Sequence, residues 1–95
     1  MKSISMDELP KYMGSGALLI DVRLPGDYAL DHLAGAINMP ANNALSMLKS
    51  YSKDTIIILY CDYGHQSSRI GRLLVGLNYT NVYVLTGVNL SKKYK

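Results

Sequence analysis

The chain has 95 residues, a formal net charge of +3, 48% hydrophobic residues and a single cysteine. That length supports one hydrophobic core and not two, so residues 1–95 are expected to form a single domain that folds without metal or disulfide support. One cysteine cannot close an internal bridge, the N-terminus reaches Asp7 and Glu8 before any apolar stretch, and no run approaches the roughly 18 apolar residues of a membrane span; these features exclude the disulfide-framework, leader-bearing and membrane-spanning classes and make the reducing cytoplasm the expected location.

Ser5-Met6-Asp7-Glu8 has the form of a capping box opening a short helix through Tyr12 and Met13, which Gly14-Ser15-Gly16 ends. Residues 17–22 are a continuous apolar run interrupted only by Asp21, the pattern of a strand buried on both faces. Residues 25–30 predict a turn followed by one or two helical turns, and 36–39 a brief strand stopped by Pro40. Residues 42–51, with Leu45, Met47 and Leu48 apolar, predict a helix capped by its leading asparagine. The clearest strand is Thr55-Ile56-Ile57-Ile58-Leu59-Tyr60, large aliphatic residues set between the charged turn Lys53-Asp54 and a polar loop. From Ser67 the apolar positions recur at Ile70, Leu73, Leu74 and Leu77, one stripe of a helix with Arg69 and Arg72 away from its centre. Asn78 suits the left-handed turn that closes such a helix, and 82–85 form a last short strand. Strands without alternation, separated by helices, predict an α/β fold with a small parallel sheet covered by helices on both faces.

Cys61 sits where the clearest strand stops and the loop Asp62-Tyr63-Gly64-His65-Gln66 leads into the helix at Ser67. In open parallel sheets ligands lie outside the carboxyl ends of the strands, which is this position. A sulfur there faces the unsatisfied N–H groups and the positive dipole end of the helix, so its thiolate is stabilised and can act as a nucleophile. The same position also suits a small buried hydrophobe at a strand end, the common use of free cysteine.

Asp21-Val22-Arg23, then Tyr28, then His32-Leu33-Ala34-Gly35-Ala36-Ile37-Asn38-Met39-Pro40 resembles the upstream signature of rhodanese-like domains. Cys61-Asp62-Tyr63-Gly64-His65-Gln66-Ser67, a cysteine with glycine three residues on and serine six residues on, resembles their active-site loop, and Val82-Tyr83-Val84-Leu85 followed by Gly87 their closing strand and turn. The likeness runs from about Leu18 to Gly87. It implies the rhodanese-like three-layer fold, with Cys61 as the catalytic residue of a sulfurtransferase that takes a sulfane sulfur from thiosulfate or a persulfide and passes it to cyanide or a thiol. Asp62, Tyr63, Gly64, His65, Gln66, Ser67 and Arg69 are then the substrate-binding positions. Backbone N–H groups from Tyr63 through Ser67 would hold the donor anion and the outer persulfide sulfur, with Gly64 allowing a positive φ or leaving room for substrate. No cofactor and no metal are implied, and two histidines and one cysteine far apart in sequence lack metal-site spacing.

The loop also departs from the family. Many members carry arginine at the position of Gln66, and single-domain members of the phage shock protein E type that have glutamine there carry arginine one residue earlier, where this chain has His65. An imidazole supplies positive charge only as it gains a proton, so donor binding is expected to be weak and pH-dependent. Asp62 beside the sulfur would oppose thiolate formation, and Arg69 or Arg23 are the candidates for the missing charge; otherwise Arg69 is solvated and Arg23 forms a surface pair. His32 is expected to be a hydrogen-bonded architectural residue and Asp21 to be tied to backbone N–H groups or Arg23. After Gly87 a second glycine is replaced by Val88 and the family's following tryptophan is missing, so a final helix is expected to be short or frayed.

Two other readings compete. A rhodanese-fold binding module or sulfur carrier acting with a protein partner is favoured by His65 and Gln66, whereas Cys61, Gly64 and Ser67 favour the enzyme. A cysteine phosphatase needs arginine six residues after the cysteine to clamp phosphate, and Ser67 stands there. The loop length from Cys61 to Gln66 goes, in this family, with sulfur rather than phosphate. Lys92, Lys93 and Lys95 read as a solvated tail, and the eight tyrosines are not grouped as a base-stacking platform, so no nucleic-acid partner is expected.

Overall fold

A computed structural model describes residues 1–90. Along the chain run β1 (Lys2–Ser5), α1 (Leu9–Gly14), β2 (Leu18–Asp21), α2 (Pro25–Leu30), β3 (Ile37–Asn38), α3 (Ala41–Met47), a 3₁₀ turn (Leu48–Ser50), β4 (Ile57–Tyr60), α4 (His65–Gly76) and β5 (Val82–Thr86). The five strands make one sheet in the order β1-β5-β4-β2-β3, every pair parallel. β4 is central and all four of its side chains are buried, which is why its sequence shows no alternation.

The pleat divides those side chains between two cores. Ile57 and Leu59 face Ile20, Ala44, Leu48, Ile70, Leu74 and Tyr79, the layer built by α3 and α4. Ile58 and Tyr60 face Ile4, Leu19 and Leu85, with Leu9, Tyr12, Met13 and Tyr28 of α1 and α2 closing over them. Fully burying each such aliphatic side chain is worth roughly 1.5–3 kcal/mol, so the central strand alone anchors both layers.

β1 was not legible as a strand. It carries one buried apolar residue, Ile4, among Lys2, Ser3 and Ser5, and it forms only because β5 offers an open edge, with the Thr86 hydroxyl donating to the Ile4 carbonyl at 3.2 Å. The expected capping box is half present: Glu8 accepts from the Ser5 N–H at 2.9 Å, but the helix itself starts at Leu9. α3 corrects a second expectation, because Pro40 occupies its N-cap with no side-chain bond and Asn42 lies exposed inside the first turn. In α4 the buried face is Ser67, Ile70, Gly71 and Leu74, while Leu73 and Leu77 are exposed; the stripe is narrower and begins earlier than the hydrophobic spacing alone suggests. Asn78 adopts φ 74° immediately after the helix, its N–H donating to the Val75 carbonyl. Residues Gly87 to Leu90 carry no helix, and Lys92, Lys93 and Lys95 lie outside the described residues.

Strand order decides where a site can form. The chain leaves β4 toward β5 on one side and leaves β2 toward β3 on the other, so the crevice between the carboxyl ends of β2 and β4 is the topological switch point. Arg23 follows the first of these strands and Cys61 the second.

Candidate active site

Cys61 is almost wholly buried, 8% exposed, at the end of β4. Gly64, at φ 85°, bends the loop back so that its N–H reaches the Cys61 Sγ at 3.1 Å, a left-handed conformation that glycine takes without the strain of a Cβ. The Ser67 N–H, in the first turn of α4, reaches the same sulfur at 3.4 Å. The thiol donates to the Ser67 Oγ at 3.4 Å, and the Ser67 hydroxyl donates to the Gly64 carbonyl at 3.3 Å. The Ser67 hydroxyl has one proton, so it can donate to a thiolate at this position only by giving up its bond to the Gly64 carbonyl. Among the described residues the Gly64 and Ser67 N–H groups are the backbone donors on Sγ; the sequence reading spread this role over the whole segment from Tyr63 to Ser67.

A cleft of about 500 Å³ opens over the sulfur, lined on the loop side by Asp62, Tyr63, His65 and Gln66 and on the facing side by Arg23, Leu24, Asp27 and Pro40 with its neighbours. Tyr63 is 80% exposed at its mouth. A smaller groove of about 270 Å³ meets Cys61 from the other side, between Gly64, Ser68 and the end of β5. Of the facing wall, sequence reasoning reached Arg23 alone, as a candidate for the missing charge, and did not assign Leu24, Asp27 or Pro40 to the site. Its signal was available: the strand ending in Asp21-Val22-Arg23 is the one that stops beside β4.

Two candidates for the missing positive charge are corrected by the geometry. Arg69 lines neither opening; one turn into α4 it lies on the exposed face, where its Nε and Nη2 donate to Gln66 Oε1 at 3.1 and 2.9 Å. Arg23 is in the cleft but is no surface pair. Its Nη2 lies 2.8 Å from the fully buried Asp21, Nε donates to both Asp21 oxygens, and Nη2 also donates to the Asp31 carbonyl. Its remaining nitrogen, Nη1, lies 3.5 Å from Asp62 Oδ1. Burial works against the Arg23 cation, yet the hydrogen bond and charge of Asp21 and the charge of Asp62 outweigh it and raise its pKa.

The rest of the upstream signature is scaffold. Asp21 accepts from the Arg23 N–H at 2.9 Å, and Asn38 donates to the carbonyls of Asp21 and Arg23, tying β3 to the end of β2. Tyr28 donates to the Ala36 carbonyl at 2.6 Å, and His32 stacks on Tyr28 at 3.8 Å with its Nδ1 2.7 Å from the Tyr28 carbonyl oxygen, the architectural role expected of it. The described residues contain no group of three histidine, cysteine or acidic side chains placed to hold a metal, and no helix long and apolar enough to cross a membrane.

A parallel sheet that delivers a lone cysteine into a turn of backbone donors at its switch point defines a class, and the family model of the Rhodanese-like domain matches residues 5–88: the chain belongs to that family. Its activity is sulfur transfer. The thiosulfate sulfurtransferase GlpE of Pseudomonas entomophila is 28% identical over 86 residues, 90% of this chain and 79% of the relative. The thiosulfate sulfurtransferase PspE of Escherichia coli K12 is 34% identical over 65 residues, covering 66% of this chain and 62% of that protein. Among solved structures the human single-domain sulfurtransferase TSTD1 superposes with a TM-score of 0.73 at 25% identity, covering 92% of this chain and 90% of the other.

Proposed function

We propose that this protein moves a sulfane sulfur through a persulfide on Cys61, acting as a single domain in a reducing cytoplasm. The observation that carries the reading is the sulfur's surroundings: two backbone N–H groups, of Gly64 and Ser67, donate to Sγ at the floor of an open cleft. Such donors stabilise charge on a sulfur without competing for the electrophile. The thiolate attacks the outer sulfur of the donor and forms the new S–S bond, while the donor's own S–S bond breaks with its electron pair leaving on sulfite, when the donor is thiosulfate, or on a thiolate, when it is a persulfide. A thiolate or cyanide then attacks the outer sulfur of the Cys61 persulfide, and the Cys61 thiolate departs. No external oxidant or reductant enters either half. Tyr63, Gly64, His65, Gln66 and Ser67 would contact the transferred sulfur or the donor, with His65 and Gln66 forming the loop wall of the cleft.

A second reading, a sulfur carrier that accepts sulfur from a protein partner and turns over thiosulfate poorly, is favoured by the compensated charge of Arg23 and by the exposure of Tyr63 beside the sulfur. Mass spectrometry of the intact protein after thiosulfate, with and without cyanide, tests the first. We expect a gain of one sulfur on Cys61 that cyanide removes, and its complete loss in Cys61→Ser with melting temperature changed by no more than a few degrees. Retained transfer in Cys61→Ser overturns the assignment of the nucleophile.

A further inference from the structure

Gln66 lines the cleft over Cys61 and Arg69 does not, yet the two side chains are joined. Gln66 is the second residue of α4 and Arg69 stands three positions on, the spacing that makes neighbours on one helix face. The Arg69 Nε donates to Gln66 Oε1 at 3.1 Å and Nη2 donates to the same oxygen at 2.9 Å. Among the described residues these are the hydrogen bonds of the Gln66 side chain. A guanidinium has five N–H donors and no acceptor, so a carboxamide can meet it only through oxygen. Chemistry therefore fixes the direction of the amide, with its oxygen toward Arg69 and its two N–H groups on the opposite edge. A carboxamide without such a partner turns about its last bond and offers oxygen or nitrogen to the same place, and only the nitrogen edge binds an anion.

We propose that Arg69 is a positioning residue for the donor: held by it, Gln66 presents its N–H groups to the cleft, where they bind the sulfonate oxygens of an anionic donor such as thiosulfate. This deepens the sulfur-transfer reading and rests on it. Arg69 serves the site from outside the cleft and does not itself meet the anion. Two effects act together. The fixed amide excludes the orientation that repels the anion, and a long side chain ordered before the donor arrives loses less rotamer freedom on binding. The sulfonate oxygens stay with the departing sulfite, so the grip acts alike on the bound donor and on the transition state and is read in KM.

The test is a double-mutant cycle on KM for thiosulfate with wild type, Arg69→Met, Gln66→Met and the double variant. Both side chains are exposed, so the changes leave the core untouched. Gln66→Met keeps the length of the side chain without its N–H groups and is expected to raise KM roughly fivefold, with kcat within about twofold of wild type. Arg69→Met is expected to raise KM about threefold when Gln66 is present and by less than about 1.5-fold when it is not. An equal rise in both backgrounds means that Arg69 acts through its charge alone, and no rise in either means that it does nothing for the donor; each result overturns the proposal. Sulfate supplies a readout without sulfur transfer, since it offers the same oxygens and no sulfur to give. Its dissociation constant follows from the protection it gives Cys61 against iodoacetamide at constant ionic strength, and the same dependence of the Arg69 effect on Gln66 is expected in that constant. Independence of the two residues counts against the proposal, as does a wild-type alkylation rate that sulfate leaves unchanged. If the dependence appears with sulfate while thiosulfate leaves no sulfur on Cys61 in any of the four proteins, the positioning by Arg69 stands as anion binding and the sulfur-transfer reading falls.

Discussion

Gln66 holds a position in the cleft that a stronger anion binder would fill with a cation, yet its carboxamide oxygen is engaged by Arg69 and faces the donor with no net charge. Gln66→Arg breaks that bond and sets two guanidinium groups three residues apart on one helix face, a repulsion worth a few tenths of a kcal/mol that turns the new side chain toward the cleft. We expect KM for thiosulfate to fall more than kcat rises, since a charge that grips ground and transition states alike contributes uniform binding. Steady-state kinetics with varied thiosulfate checks this, and an unchanged KM refutes it. The sulfur itself has a different dependence, on Ser67, whose fully buried hydroxyl accepts from the thiol and donates to the Gly64 carbonyl while its N–H reaches Sγ.

At the scale of elements, α4 does two jobs that its ends make separable. Its N-terminal turn presents the Ser67 N–H to the sulfur, and its C-terminal turn is closed by Asn78 at φ 74°, from which the chain enters β5. Asparagine tolerates this left-handed conformation because its short polar side chain can bond locally, whereas alanine has no such relief and its Cβ costs roughly 1–2 kcal/mol there. Asn78→Ala is therefore expected to destabilise the fold by about 1 kcal/mol while leaving KM and kcat within twofold of wild type, because the change lies at the end of the helix remote from Cys61. Thermal denaturation paired with the sulfur-transfer assay decides it; lost activity at temperatures where the variant is fully folded would mean that the helix transmits the strain to its N-terminus.

Across the whole molecule, Tyr60 ties the central strand to the loop after α2 by a hydrogen bond. Its hydroxyl accepts from the Leu33 N–H at 3.0 Å and meets Asp21, so the loop after α2, the central strand and the Asp21–Arg23 pair share one buried network. Burial, followed by the hydrogen bond and charge of Asp21, raises the Tyr60 pKa well above the usual tyrosine value. Above about pH 10 the unfolded chain gives up this proton while the folded protein keeps it, so the folded state binds more protons and stability falls as pH rises. Below that pH the proton is bound in both states and the contribution is fully present. Tyr60→Phe should lower stability at pH 7 by roughly 1–3 kcal/mol, because the Leu33 N–H loses its acceptor. The variant should also show a shallower loss of stability between about pH 10 and 11 than wild type does. Parallel melting-temperature profiles in that range would show that Tyr60 does not carry the alkaline sensitivity.

The parallel sheet, its central strand and the loop after Cys61 were legible in the sequence, because these follow from local chemistry: unbroken aliphatic runs, left-handed positions filled by Gly64 and Asn78, and a change of period from strand to helix, although the helix begins at His65 and not at Ser67 as expected. The sequence also carried the family through short fixed spacings around Asp21, His32 and Cys61. Other features belong to the tertiary structure alone. β1 exists because β5 has a free edge, and Leu73 of α4 and Leu77 just after it stay exposed because the buried face of the helix is Ser67, Ile70, Gly71 and Leu74. The Arg23–Asp62 ion pair was equally out of reach, since the two residues stand 39 positions apart in the sequence and meet only where β2 and β4 end side by side. Strand pairing places two distant residues 3.5 Å apart, a contact that no local pattern encodes.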